Sequence, residues 1–521
     1  MADKIIITNE SVLKAKYQAT GLSAIKTAVQ ALITADQQRG LKTQYIPIDN
    51  VSAMAKVNGK PVTDPTDAKQ NKAAVDAVFK KLAPDYLMIL GAPDVIPHQD
   101  LKNPMYSPGS DDDKLAPGDI PYACEAAYSN NPEDFIGPTR VVGRLPDLTG
   151  AKDPKYLLCL LATAASYTQR KSADYAKYLG ITAAVWKGST ALSLDNTFGS
   201  NADLQIVPPK TDKWPKALIS RRSHFINCHG ADHDFHFYGQ KGNQYPESLD
   251  ASLLQGQISE GTVIAAECCY GSQLYDPART NAQPGICCTY LSEKAYGYFG
   301  STTIAYGPAT GNGSADLICQ FFLNKVLAGA SLGRAALQAR QEFAQSSPQI
   351  SPTDLKTMAQ FNLLGDPSIT PIAIPSSHVA PPSGGAKAMG TAAGDGHMAE
   401  RANRRRDLME RGMWLAASRP VVRTKVRTKP KAAMLKQLTA MAEEAKMIAP
   451  KMFSFSVRPP SAAARNMLSK AMIAKAPVSD AFHVVIGKVH LKEAPVPVIK
   501  ALVANVSAGK IISVQELYGK R

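Results

Sequence analysis

Two short apolar runs, each ending in a reactive residue, set the tightest limit on how this chain folds. His224-Phe225-Ile226-Asn227-Cys228 stops at His229-Gly230, and Thr262-Val263-Ile264-Ala265-Ala266 stops at Glu267-Cys268-Cys269-Tyr270-Gly271-Ser272. Short β-prone runs closed by glycine read as buried strands of a parallel sheet. In open α/β sheets, reactive groups gather where the carboxyl ends of neighbouring strands meet their loops. If the two strands are adjacent, an imidazole and a thiol face each other across one crevice. A thiolate with an imidazole in reach is an activated nucleophile.

The surrounding chain keeps the same rhythm. Lys4–Thr8, Gln44–Ile48 and Tyr86–Leu90 read as strands, separated by an amphipathic helix carrying Leu13, Ile25, Val29 and Leu32 and by a second helix over Ala68–Leu82. Such β–α–β alternation predicts an α/β fold with a parallel sheet and right-handed crossovers. After Thr139–Pro146, further strands are expected at Ile181–Val185, Leu204–Val207, His224–Cys228, Val263–Cys268 and Tyr298–Ala305, with helices at Asp153–Thr168, Ala315–Leu327 and Leu332–Phe343. The expected organisation is an N-terminal α/β subdomain over 1–145 and a catalytic subdomain over 146–373. A Pro/Gly/Ser linker over 374–398 and a basic region over 399–521, partly helical with a small folded end, complete it.

Charge divides the chain the same way. Residues 373–521 hold 25 Lys and Arg against 9 Asp and Glu, a balance of +16, so the first 372 residues are close to neutral within the total of +15. Lys/Arg clusters neutralise phosphates, so the tail is expected to contact a polyanion, nucleic acid or an anionic membrane. No apolar run reaches the roughly 18 residues that a membrane span needs. The start of the chain lacks a signal-peptide pattern, and the eight cysteines form no metal-type Cys-x-x-Cys. Both suit a reducing, cytoplasmic setting without cofactor or metal.

Glu267-Cys268-Cys269-Tyr270-Gly271-Ser272 resembles the strand-end signature of caspase-like cysteine peptidases, and His229-Gly230, 40 residues upstream, resembles their His-Gly. Val142-Gly143-Arg144-Leu145-Pro146 and Leu364-Gly365-Asp366-Pro367-Ser368 are similar to landmarks of the gingipain-type branch. The likeness covers roughly residues 1–372. It implies a caspase-like sandwich of helices around mostly parallel sheets, and peptide-bond hydrolysis through a thioester on a protein or peptide substrate. Cys269 would be the nucleophile and His229 the general acid–base, with Gly230 contributing an oxyanion donor. Cys268 is the alternative nucleophile, since Gly271 then falls three places later, as in gingipains. Strand alternation puts Glu267 and Cys269 on one face and Cys268 on the other, which favours Cys269.

Other residues are candidates for substrate contact. Glu267, on the face of Cys269, would favour a basic P1 side chain, and Ser301, Thr302 and Thr303 lie on the strand that in relatives runs beside substrate. Arg404-Arg405-Arg406 and the basic run Arg423–Lys431 are expected in linker, where a protease with that preference would process its own tail. His233 and His236, with Asp232 and Asp234, lack a convincing third metal ligand and are expected on a loop bordering the cleft. The acidic run Asp111-Asp112-Asp113 is expected to be a solvated loop. The rival reading is an idle caspase-like scaffold that works through its basic tail.

Overall fold

The computed structural model describes residues 2–373, 393–425, 427–461, 479–490 and 497–519. The strands of its main sheet and its basic region, in chain order, begin with β1 (Lys4–Thr8), β2 (Thr43–Pro47), β3 (Tyr86–Leu90), β4 (Val142–Leu145), β5 (Tyr178–Ala183) and β6 (Leu204–Val207). β7 (Ser223–Asn227), β8 (Val263–Ala266), β9 (Gly297–Ser301), its short continuation β10 (Tyr306–Gly307) and β11 (Phe361–Leu364) follow. Among the described residues, all of these but β10 join one sheet in the order β2-β1-β3-β4-β11-β9-β8-β7-β5-β6. β1, β3, β8 and β9 are buried along their whole length, as parallel strands covered by helices on both faces must be. The long helix Glu10–Gln38 buries the expected stripe of Leu13, Ile25, Val29 and Leu32.

The fold is the mostly parallel α/β arrangement with an N-terminal and a catalytic sheet unit, joined through β11. That strand runs parallel to β4 but antiparallel to β9, so the two halves point in opposite directions. Arg144 of β4 pins the joint. It is fully buried, with its Nε and Nη2 on the Asp119 carboxylate at 2.8 and 2.6 Å and its Nη1 on the Gly91 and Ile96 carbonyls.

Two local expectations change. Asp111 is fully buried, 2.5 Å from the ammonium of Lys356, which is also fully buried. Tyr306 Oη donates to the same carboxylate at 2.9 Å. A partner 245 residues away in sequence thus draws the expected solvated loop inward. Arg404–Arg406 lie inside the helix Ala393–Ser418 rather than in linker, and Arg405 donates to the Ala83 carbonyl at 2.6 Å. Arg423 leaves the two-residue strand β12 (Val421–Val422), its N–H donating to the Ser456 carbonyl. Residues 374–392, most of the expected linker, lie outside the described residues.

The basic region folds as an antiparallel sheet. β13 (Ile448–Arg458), β14 (Ala481–Val489), β15 (Val498–Ser507) and β16 (Lys510–Gly519) extend from β12, and β16 pairs with β10 of the catalytic half. Phe455, Phe482, Val484, Val503 and Leu517 join the hydrophobic core of the body, while the helix Ala432–Glu444 covers the other face with Met434 and Leu438. No helix among the described residues is long and apolar enough to cross a membrane.

His224 gives the interior a pH signature. Its ring touches Tyr290 Oη through Nδ1 and the Arg221 carbonyl through Nε2, both at 2.8 Å. A neutral imidazole matches that pair of partners, accepting from the hydroxyl and donating to the carbonyl. Burial pushes the ring from its ordinary 6.5 down to about 4, against the pull of the Arg221 and Ile219 carbonyls. Between those values the unfolded chain binds a proton that the folded one refuses. The stability is therefore full above pH 6.5 and declines as pH falls toward 4, by about 3 kcal/mol for this group. In His224→Gln the unfolding free energy should fall less steeply across that window than in the unsubstituted chain; equal slopes would contradict the assignment.

Candidate active site

β7 and β8 are adjacent and parallel, with Val263 opposite Ser223 and Ala266 opposite Ile226. The ladder continues one step beyond β8, where the Glu267 N–H donates to the Ile226 carbonyl at 2.8 Å. The ladder ends there, and the two segments stay in contact as they run on into their turns. The backbones meet there: a Cβ at Gly230 would collide with the Cys269 carbonyl oxygen. Only glycine tolerates so close an approach.

The two cysteines are set apart. Cys268 is on the side of Tyr290 and Tyr298, whose hydroxyls feel its charge, with its Sγ 3.9 Å from the Ile226 carbonyl. Cys269 turns toward the segment after β9: the Ala305 N–H points at its Sγ at 3.2 Å. Tyr270 follows in the left-handed region at φ 55° and donates its N–H to the Thr303 carbonyl, and the Gly271 N–H closes a tight turn on the Cys268 carbonyl. β8 itself ends at Ala266, so both thiols belong to the turn rather than to the strand.

His229 is held by groups with no signature in sequence. Its Nε2 lies 2.7 Å from Gln240 Oε1, whose amide nitrogen in turn donates to Tyr245 Oη at 2.7 Å. Trp186 packs against the imidazole with ring centroids 4.4 Å apart. Because an amide oxygen only accepts, Gln240 fixes the proton on Nε2 and leaves Nδ1 as the ring's basic nitrogen. Gln240 is thus a positioning residue that sequence reading missed. Its signal is a hairpin partner eleven residues on from the histidine.

A cleft of about 490 Å³ opens beside the turn, lined by Asp112, Asp113, Asp232, Tyr270, Thr302 and Thr303 among others. Asp113 bridges the two sides, accepting from Tyr270 Oη and from the Ile304 N–H, both at 2.9 Å. Burial pushes its carboxyl above the usual carboxylate range while Lys356 opposes the rise. Ser301 is buried, its Oγ donating to the Cys268 carbonyl at 2.8 Å. Glu267 is fully buried at the end of β8. Asp232 borders the cleft, and His233 donates its backbone N–H to Gln273. His236 instead joins Glu247 and Asp250 on the adjoining hairpin, their donor atoms within 4.8 Å of one another. That set shares only His236 with the residues singled out from sequence.

Residues 228–372, from the last residue of the first run through the second run and the strands after it, match the model of peptidase family C25, the gingipain family of the caspase-like clan. The match supports a cysteine-type peptidase, as the sequence resemblance implied. A solved structure described as "Structure of Protease" is 13% identical with a TM-score of 0.45, over 99% of this chain and 96% of that one. No curated protein matches the chain.

Proposed function

We propose, for a chain whose residues 228–372 match peptidase family C25, that Cys269 is the nucleophile and His229 its acid–base partner. The observation that supports this reading is that β7 and β8 are adjacent and parallel and that Gly230, next to His229, is pressed against the Cys269 backbone where the two strands run into their turns. His229 Nδ1 takes the thiol proton as Sγ bonds to the scissile carbonyl carbon. It then returns that proton to the leaving amine as the C–N bond breaks, and water hydrolyses the thioester. The Gly230 and Cys269 N–H groups are the proposed oxyanion donors, each typically worth about 3–4 kcal/mol. Cys268, on the tyrosine-lined face, is a core residue in this reading.

Gln240 keeps the imidazole in the productive tautomer. Gln240→Ala should therefore lower kcat about 100-fold, the usual cost of a misplaced catalytic group. Its KM for a peptide should be nearly unchanged, and a KM effect without a kcat effect would reject the positioning role.

The substrate is a protein or peptide, and the proposed P1 preference is basic. Asp112, Asp113 and Asp232 give the cleft three carboxylates, which would draw in a cationic side chain. Asp113 joins Glu267, the candidate from sequence, for this contact. A positional peptide library should favour Arg or Lys at P1 by about 10- to 100-fold over neutral residues, the range of a charge-assisted contact. A flat or acidic profile would overturn the preference while leaving the peptidase intact. Self-processing at Arg404–Arg406 or Arg423–Lys431 belongs to the same proposal and requires local opening of folded segments.

A further inference from the structure

Cys269 is fully buried and His229 only 2% exposed, whereas a scissile peptide must reach the sulfur. A backbone edge that meets that sulfur is the run from Ala305, whose N–H lies 3.2 Å from Sγ, into β10. An extended peptide held for attack would lie along this edge, since strand addition gives backbone hydrogen bonds to any sequence. The edge is taken. β16 pairs with it antiparallel, Tyr518 opposite Gly307 and Gly519 opposite Tyr306. Its direction carries the chain toward Cys269, the polarity a substrate's residues before the scissile bond need on an antiparallel edge. Lys520 and Arg521, outside the described residues, come next in the sequence.

We propose that β16 is an intramolecular occupant of the substrate edge, so that the tail sheet holds the peptidase latent until Tyr518–Gly519 peel from β10. The proposal rests on the peptidase reading. The latch is small against the rest of the sheet: β16 pairs with β10 at two positions but with β15 along almost its whole length. The far edge of the same sheet is anchored separately, where Ile350 exchanges backbone bonds with Pro420 and Val422. Release at β10 therefore leaves the sheet intact and attached, and an incoming peptide competes with β16 for the same backbone groups.

Gly519 offers the means to test it. A Cβ there would stand 3.3 Å from Ile304 Cγ2 of the body and 3.1 Å from Ile499 Cβ of β15, so the larger side chain of Gly519→Val crowds β16 at its contact with the body. A peptidyl acyloxymethyl ketone with arginine at P1 reports access to Cys269. Gly519→Val should be labelled about tenfold faster than the unsubstituted chain, the effect of removing an occupant present in about nine molecules of ten. Should that variant not fold, the unsubstituted full chain decides. Once labelled, it should lose hydrogen-exchange protection at Tyr306–Gly307 and Tyr518–Gly519 while β14 and β15 keep theirs. Labelling of Cys269 with those amides still protected, or at an equal rate in a folded Gly519→Val, overturns the latch and spares the peptidase. Failure of any form to label at Cys269 overturns both.

Discussion

Cys269→Ala is expected to lose peptide hydrolysis by about 10⁵- to 10⁶-fold in kcat, the scale set when a covalent nucleophile is removed from a hydrolase. The neighbouring Cys268→Ala should stay within a few-fold of the unsubstituted rate. The contrast follows from opposite faces of one turn. Cys268 is on the side of Tyr290 and Tyr298, whereas Cys269 turns to Ala305. Deleting either sulfur leaves a cavity of similar size, so unfolding midpoints of the two variants should be close and the difference in rate should be chemical. The Cys269→Ala protein also serves as the uncut reference for self-processing, and an uncut, full-length mass in the unsubstituted chain as well would reject that step. Equal loss of activity in the two cysteine variants would reject the assignment of the nucleophile.

The second large effect concerns the joint between the two halves of the sheet. Asp119→Ala removes the carboxylate that takes two of the guanidinium contacts of Arg144 and leaves a fully buried cation with carbonyl partners alone. Burial by itself would raise the Asp119 carboxyl, but Arg144 and His98 outweigh it and hold the group below its ordinary value. Breaking one side of such a pair costs about 3–5 kcal/mol, a large part of the roughly 5–15 kcal/mol that holds a domain folded. The denaturant midpoint should fall accordingly. Asp119→Leu combined with Arg144→Met should recover much of the loss, because the uncompensated charge is gone. A loss under about 1 kcal/mol in the single variant would show that water or another group reaches Arg144.

What could be read in the sequence was what local periodicity encodes. The runs ending at His229 and Glu267, the stripe Leu13-Ile25-Val29-Leu32 and the strand at Tyr86–Leu90 each carry their own pattern, and each occupies the expected element. The failures are non-local. Asp111 looks solvated until Lys356 arrives from the helix Pro352–Gln360. The stretch Tyr298–Ala305 looks like one strand, yet it breaks after Ser301, where Thr302 and Thr303 turn their hydroxyls to Pro117 and Gln360. Gln240 has no motif, because its role depends on a hairpin folding back onto His229. The basic tail was read by its charge, which lies on exposed faces; its alternating apolar residues, which put Phe482 and Val484 into the shared core, were the better signal.

The central claim is that one thiol and one imidazole act together at the ends of β7 and β8. It is tested most directly by mapping where a peptidyl acyloxymethyl ketone attaches, by peptide mass spectrometry of the full chain and of His229→Ala. The account predicts a single thioether at Cys269, formed far more slowly once His229 is gone. Attachment at Cys268, or at Cys269 with a rate indifferent to His229, would contradict it.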